Sequence, residues 1–170
     1  LWLELIGEDY ELQHLHIVEA LIDWNVQVLT ADYTGVGKPV VDRLMAELSD
    51  FINIVPYTFS RPSKSDMWQA LDADIRAGRL IVPAHKNAKA TQEFQHFEAQ
   101  MHGLTKEWVG SYLVCQKGTH EDAADDYCDS LGLACLSASE PIPEEAEDFE
   151  ENTIFSHTLT KRKLINANKR

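Results

Sequence analysis

Between residues 9 and 137, apolar segments of strand length alternate with stretches whose apolar residues recur every three or four positions. This alternation restricts the chain to an α/β layered domain with a mostly parallel sheet. Leu1 to Ile6 reads as a short strand. Asp9 then caps an amphipathic helix whose stripe is Leu15, Val18, Leu21 and Ile22, and Asn25 ends it. Val26 to Ala31 is a buried-type strand with Asp32 at its carboxyl end, followed by the turn Thr34-Gly35-Val36-Gly37. Pro39 suits the opening of the next helix, with Val40, Val41, Leu44, Met45 and Leu48 on one face, and a strand follows at about Ile52 to Phe59.

Ser63, with Asp66 three residues on, marks a further helix start; Met67, Leu71 and Ile75 form its stripe, and Gly78 stops it. Leu80 to Val82 is a short strand ended by Pro83. Thr91 to Met101 is a helix with Phe94 and Phe97 in the core. An antiparallel strand or hairpin is expected near 106–116, and the last helix runs from about Glu121 to Ser137. Residues 138–170 lack this periodicity. They hold seven acidic residues between Glu140 and Glu151, then five basic residues from Lys161 to Arg170, and read as a linker or tail that orders against a partner.

Composition narrows the function classes. At 170 residues, 44% apolar and 25% charged, the chain builds one ordinary core, and no run approaches the roughly 20 apolar residues of a membrane helix. The N-terminal LWLELIGED lacks the basic, apolar and small-residue regions of a secretory signal. Cys115, Cys128 and Cys135 form neither a CxxC pair nor an even set, which fits a reducing cytosol. A net charge of −13 argues against a broadly basic face gripping nucleic acid by phosphate contacts alone. It leaves room for a metal-dependent nuclease, whose site is itself acidic until cations invert its charge.

The acids that bear on such chemistry fall in two places. Asp122, Asp126 and Asp129 share one helical face, with Asp125 adjacent, away from the stripe of Ala124, Cys128, Leu131 and Cys135. Four aspartates near a helix start also suit the dipole and form an ordinary solvated face. Yet like charges at i, i+4 repel unless a cation lies between them, and hard divalent cations prefer such oxygen ligands. Asp32 ends an apolar strand, where open α/β sheets place ligands, although a turn-forming Asp fits the same position. If the two sets meet across the sheet, they suit two Mg²⁺ or Mn²⁺ ions about 3.5–4 Å apart and phosphodiester hydrolysis.

Weaker signals resolve blandly. Gly35-Val36-Gly37-Lys38-Pro39 fails the P-loop pattern at both ends. His14 and His16 face different ways on their helix, His120 reads as a loop histidine beside the acids, and the helical cysteines read as packing.

The segments ADYTGVG at 31–37, FSRPSKSDMWQAL at 59–71 and DDYCDSLGLA at 125–134 occur in an order that resembles large terminase subunits of tailed bacteriophages. The resemblance is to their C-terminal nuclease domain and covers residues 1–137. It implies an RNase H-like fold related to RuvC-type resolvases, with a mixed, mostly parallel sheet flanked by helices. The implied activity is divalent-metal-dependent endonucleolytic cleavage of concatemeric double-stranded DNA during genome packaging, in the cytoplasm of an infected or prophage-carrying bacterium. Portal protein and small terminase subunit are the implied partners. Carried over by motif, catalysis and metal binding fall to Asp32, Asp126 and Asp125, with Asp126 the first choice and Asp129 supporting. Lys64, Gly35 and Gly37 become DNA contacts, the glycines letting backbone approach metal or DNA closely. The family supplies a further aspartate from a first strand that normally precedes the segment opening here with Leu1. The resemblance therefore implies an N-terminally incomplete domain, with cleavage weak or lost, and Asp9 at a helix start is no substitute. A noncatalytic docking module and a RuvC-like resolvase are the rival expectations.

Overall fold

The computed structural model describes residues 5, 7–82, 86–89, 91–118 and 124–140. Nearly all of the expected strand at 1–6 and of the 138–170 tail, together with His120 and Asp122, lie outside the described residues.

Helix α1 (Tyr10–Asp23) starts where the Asp9 carboxylate accepts the Glu11 N–H at 2.7 Å. It stops where Asn25 takes a left-handed φ of 47°, a conformation asparagine tolerates better than most residues. Strand β1 (Val28–Asp32) and strand β2 (Asn53–Tyr57) pair in parallel from Val28↔Asn53 to Asp32↔Tyr57, and α2 (Gly37–Leu48) supplies the crossover that parallel strands require. Val18 and Leu21 of α1, Val41, Leu44 and Leu48 of α2, and Ile52 and Ile54 make one core, joined by Leu29 and Ala31.

Helix α3 (Arg61–Arg76) begins three residues before the expected start. Its cap is Ser60, which exchanges reciprocal hydrogen bonds with Ser63 in a capping box, while Pro62 occupies a first-turn position needing no N–H. Leu80 to Val82 is not assigned as a strand: Ile81 is exposed, and among the described residues no strand pairs with it. After a single turn, α4 (Lys86–Lys89), helix α5 (Gln92–Gly103) buries Phe94 and Phe97 edge to face, as expected. Strands β3 (Thr105–Val109) and β4 (Tyr112–Gln116) form the antiparallel hairpin. Helix α6 (Asp126–Ser137) starts at Asp126, later than expected.

A second core unites Met67, Trp68 and Leu71 of α3, Leu113 of β4, and Cys128 and Leu133 of α6. Of the expected mixed, mostly parallel sheet, the described strands show a two-stranded parallel sheet and a separate two-stranded antiparallel one. Among the described residues no helix is long and apolar enough to cross a membrane.

Helix α6 packs against α3, α5 and β1. Tyr33 N–H donates to the Tyr57 carbonyl, and Asn53 N–H to that of Gln27, so odd-numbered positions of β1 face β2 and even ones face the opposite edge. There Ser137 Oγ accepts the Thr30 N–H at 2.9 Å and donates to Thr30 Oγ1 at 2.8 Å. A side chain of α6 thus satisfies a backbone donor that a neighbouring strand would otherwise take.

Candidate functional site

Parallel pairing sets Asp32 beside Tyr57, so β1 and β2 end at the same edge and release their following loops together. The Asp32 carboxylate accepts the Thr34 N–H at 2.9 Å, which turns the chain. Thr34 Oγ1 in turn accepts the Phe59 N–H at 2.9 Å, tying the two loops to each other. Gly35 has a left-handed φ of 55°, and a Cβ at Gly37 would sit 2.2 Å from the Asp32 carbonyl oxygen. Gly37 is therefore demanded by the backbone of the acid-bearing strand itself.

One turn into α3, the Lys64 ammonium lies 5.1 Å from the Phe59 ring centroid, 2.8 Å from Asp129 Oδ2 and 3.4 Å from Asp125 Oδ2. A cation in the first turn of a helix opposes the helix dipole, whereas aspartates in the first turn of α6 favour theirs. The ion pairs let the two helix starts meet. Asp125 is the N-cap of α6, yet its carboxylate makes no capping bond and turns to Lys64 instead. Asp126 is exposed, at the first position of α6.

Asp129 is the most constrained acid. Its Oδ1 is buried without a hydrogen-bond partner. Burial raises its pKa above the usual carboxylate range; Lys64 opposes that rise, and the charges of Asp125 and Asp126 add to it. The Lys64 pKa is also raised: burial pulls it down, but hydrogen bonding and charge from Asp129, then Asp125, outweigh that pull. Partners in an ion pair ordinarily shift in opposite directions. Here desolvation outweighs Lys64 at Asp129, so both partners shift upward.

Carboxylate oxygens, one of them orphaned, are the donor type that hard divalent cations take, and in this respect the residues fit Mg²⁺ or Mn²⁺. The set is partial. Among the described residues no group of three or more His, Cys, Asp or Glu side chains is arranged to hold a metal ion.

The structure thus gathers Lys64, Asp125 and Asp129 at first hand and links them to Asp32 through Phe59 and Thr34. Sequence reasoning gave Asp129 a lesser place than its geometry does and missed Thr34 and Phe59. The Ser60–Ser63 spacing was the available signal for where α3 starts, and hence for Lys64 facing inward from its first turn. His14 is buried with Nε2 2.9 Å from Glu47, while His16 sits half-exposed beside Glu8 and Glu19, so the two do face different ways. Cys128 is fully buried and its thiol is pushed up to about 12 by burial, in keeping with a packing role.

A parallel β–α–β unit with an acid at its strand end, packed beside a helix whose first-turn acids share a lysine of a neighbouring helix, defines an α/β domain. A family profile described as the terminase RNaseH-like domain matches residues 7–138, and the chain belongs to that family. Comparison with curated proteins and with solved structures gave no match.

Proposed function

We propose that this chain is the nuclease module of a tailed-phage terminase large subunit, cutting concatemeric double-stranded DNA with Mg²⁺ or Mn²⁺ as the genome is packaged. Family membership supports the nuclease class. The observation that carries the reading is the Lys64–Asp125–Asp129 cluster, with its orphaned buried oxygen, tied through Phe59 and Thr34 to the strand-end Asp32.

Asp32, Asp125 and Asp126 would hold the metal, and Asp129 would orient the cluster from beneath. When bound, the divalent cations supply an activated water and stabilise the leaving 3′ oxygen. Lys64 balances the acids between turnovers and offers its ammonium to a DNA phosphate. Gly35 and Gly37 keep side chains out of the turn beside Asp32, so backbone and phosphate approach closely. Portal protein and small terminase subunit are the partners this role requires, and the host cytoplasm its place.

The test is cleavage of linear duplex DNA in Mg²⁺, Mn²⁺ or EDTA, with Mn²⁺ affinity measured in parallel. Asp32→Asn and Asp126→Asn abolish metal-dependent cutting and weaken Mn²⁺ binding if the reading holds. Undiminished cutting by either variant refutes the assignment. Preference for branched over linear DNA would point to a resolvase instead.

A further inference from the structure

A cavity of about 230 Å³ lies beside the acid cluster, between the start of α3 and strand β4. It is smaller than the roughly 300–1,000 Å³ of pockets that enclose whole drug-sized ligands, and so has the scale of one part of a larger molecule. Phe59 and Trp68 give it aromatic walls, Leu113 and Val114 an apolar lining, and Arg61 and Lys64 two cations. Lys64 is already matched by Asp125 and Asp129. Arg61 is not: its guanidinium lies 5.6 Å from the Tyr112 ring centroid and has no carboxylate partner among the described residues. Arg61 is an exposed cation in the first turn of a helix, with no carboxylate among the described residues competing for it, so it is available to an anion that enters the cavity.

A flat ring that stacks on aromatic faces, joined to an anion a few ångströms away, is the chemistry of a nucleotide. We propose that this cavity receives the base of an unpaired DNA nucleotide, with Arg61 holding its phosphate. A base inside a duplex is stacked and cannot enter, so the strand beside the acids must present a nucleotide that is single-stranded or turned out of the helix. The choice of DNA as the nucleotide's source rests on the nuclease reading; the cavity's preference for a nucleotide does not.

Cys115 lines the cavity and Cys135 does not, which gives an internal reporter. The full chain in EDTA is alkylated with a maleimide while deoxyadenosine monophosphate is titrated in, and modification at each thiol is read by peptide mass. Saturable protection of Cys115 but not Cys135 is expected. Arg61→Ala, at an exposed position, should keep the melting temperature and raise the half-protecting concentration by on the order of tenfold. No protection at millimolar nucleotide, equal protection of both thiols, or an unaffected Arg61→Ala variant overturns the proposal. A single-stranded oligonucleotide should protect Cys115 at lower concentration than the free nucleotide, and a fully paired duplex should protect poorly. Protection by duplex equal to that by single strand, or by free nucleotide alone, overturns the unpaired-DNA assignment. With metal removed throughout, these readouts are independent of whether the acids cut DNA.

Discussion

Replacing Lys64 with methionine keeps most of the side-chain volume and removes the cation that, among the described residues, pairs with both Asp125 and Asp129. Stripping one partner from a fully buried ion pair costs about 3–5 kcal/mol, because the other charge is left unmatched. Lys64 is 32% exposed and Asp129 16%, so water screens part of that loss. A deficit of about 1–2 kcal/mol follows, or a fall of about 2–8 °C in Tm for a chain of this size. The pH dependence makes the test specific. Burial raises the Asp129 pKa in the folded state, so the stability this group contributes is complete below the ordinary aspartate value and is lost as pH rises through the folded value. Without Lys64 the folded value climbs further and that loss grows. The deficit should therefore be largest near neutral pH and shrink near pH 3.5, below the ordinary aspartate value of about 3.9. Urea melts of wild type and Lys64→Met at both pH values measure it, and Lys64→Met/Asp129→Asn should regain much of the loss. Equal deficits at the two pH values, or a double variant no more stable than the single one, would refute the reasoning.

Gly37→Ala drives a methyl group into the Asp32 carbonyl and should cost about 1–3 kcal/mol in denaturant melts; Gly35→Ala meets open space and should cost only the left-handed strain of about 1–2 kcal/mol. Ser137→Ala strips the partner from the Thr30 N–H; a loss of about 1–3 kcal/mol, with faster hydrogen exchange at the Thr30 amide, is expected. Cys128, buried and with its thiol pushed up to about 12, should resist iodoacetamide at mildly alkaline pH until the chain is unfolded, and labelling in the native protein would contradict its packing role.

Elements whose signal is local were legible in the sequence. The Asp9 cap, the Asn25 stop and the α2 face follow from side-chain chemistry within a few residues, and so did Phe94 and Phe97 as core. Ser63 was a plausible cap but serves as the partner of Ser60, because the capping box needs both serines and Pro62 tolerates the first turn. Leu80 to Val82 has strand composition, but a strand exists only where another receives its hydrogen bonds. The site divides the same way. That Asp32 ends a strand and Asp129 lies on a helix was readable from spacing. That Asp125 and Asp129 share a lysine 61 and 65 positions earlier in the chain was not, since no local pattern encodes which helix starts meet.

The hydroxyl of Ser137 on Thr30 also governs how the acids are aimed. Helix α6 is fastened to β1 at its last residue and to α3 at Asp129, in its first turn, so it behaves as a strut held at two points about 12 Å apart. Rotating that strut by one residue would swing its carboxylates by about 100° and undo both fastenings together. The aim of the helical acids is therefore set by a small contact at the far end of the rod, well away from any atom that would touch a phosphate.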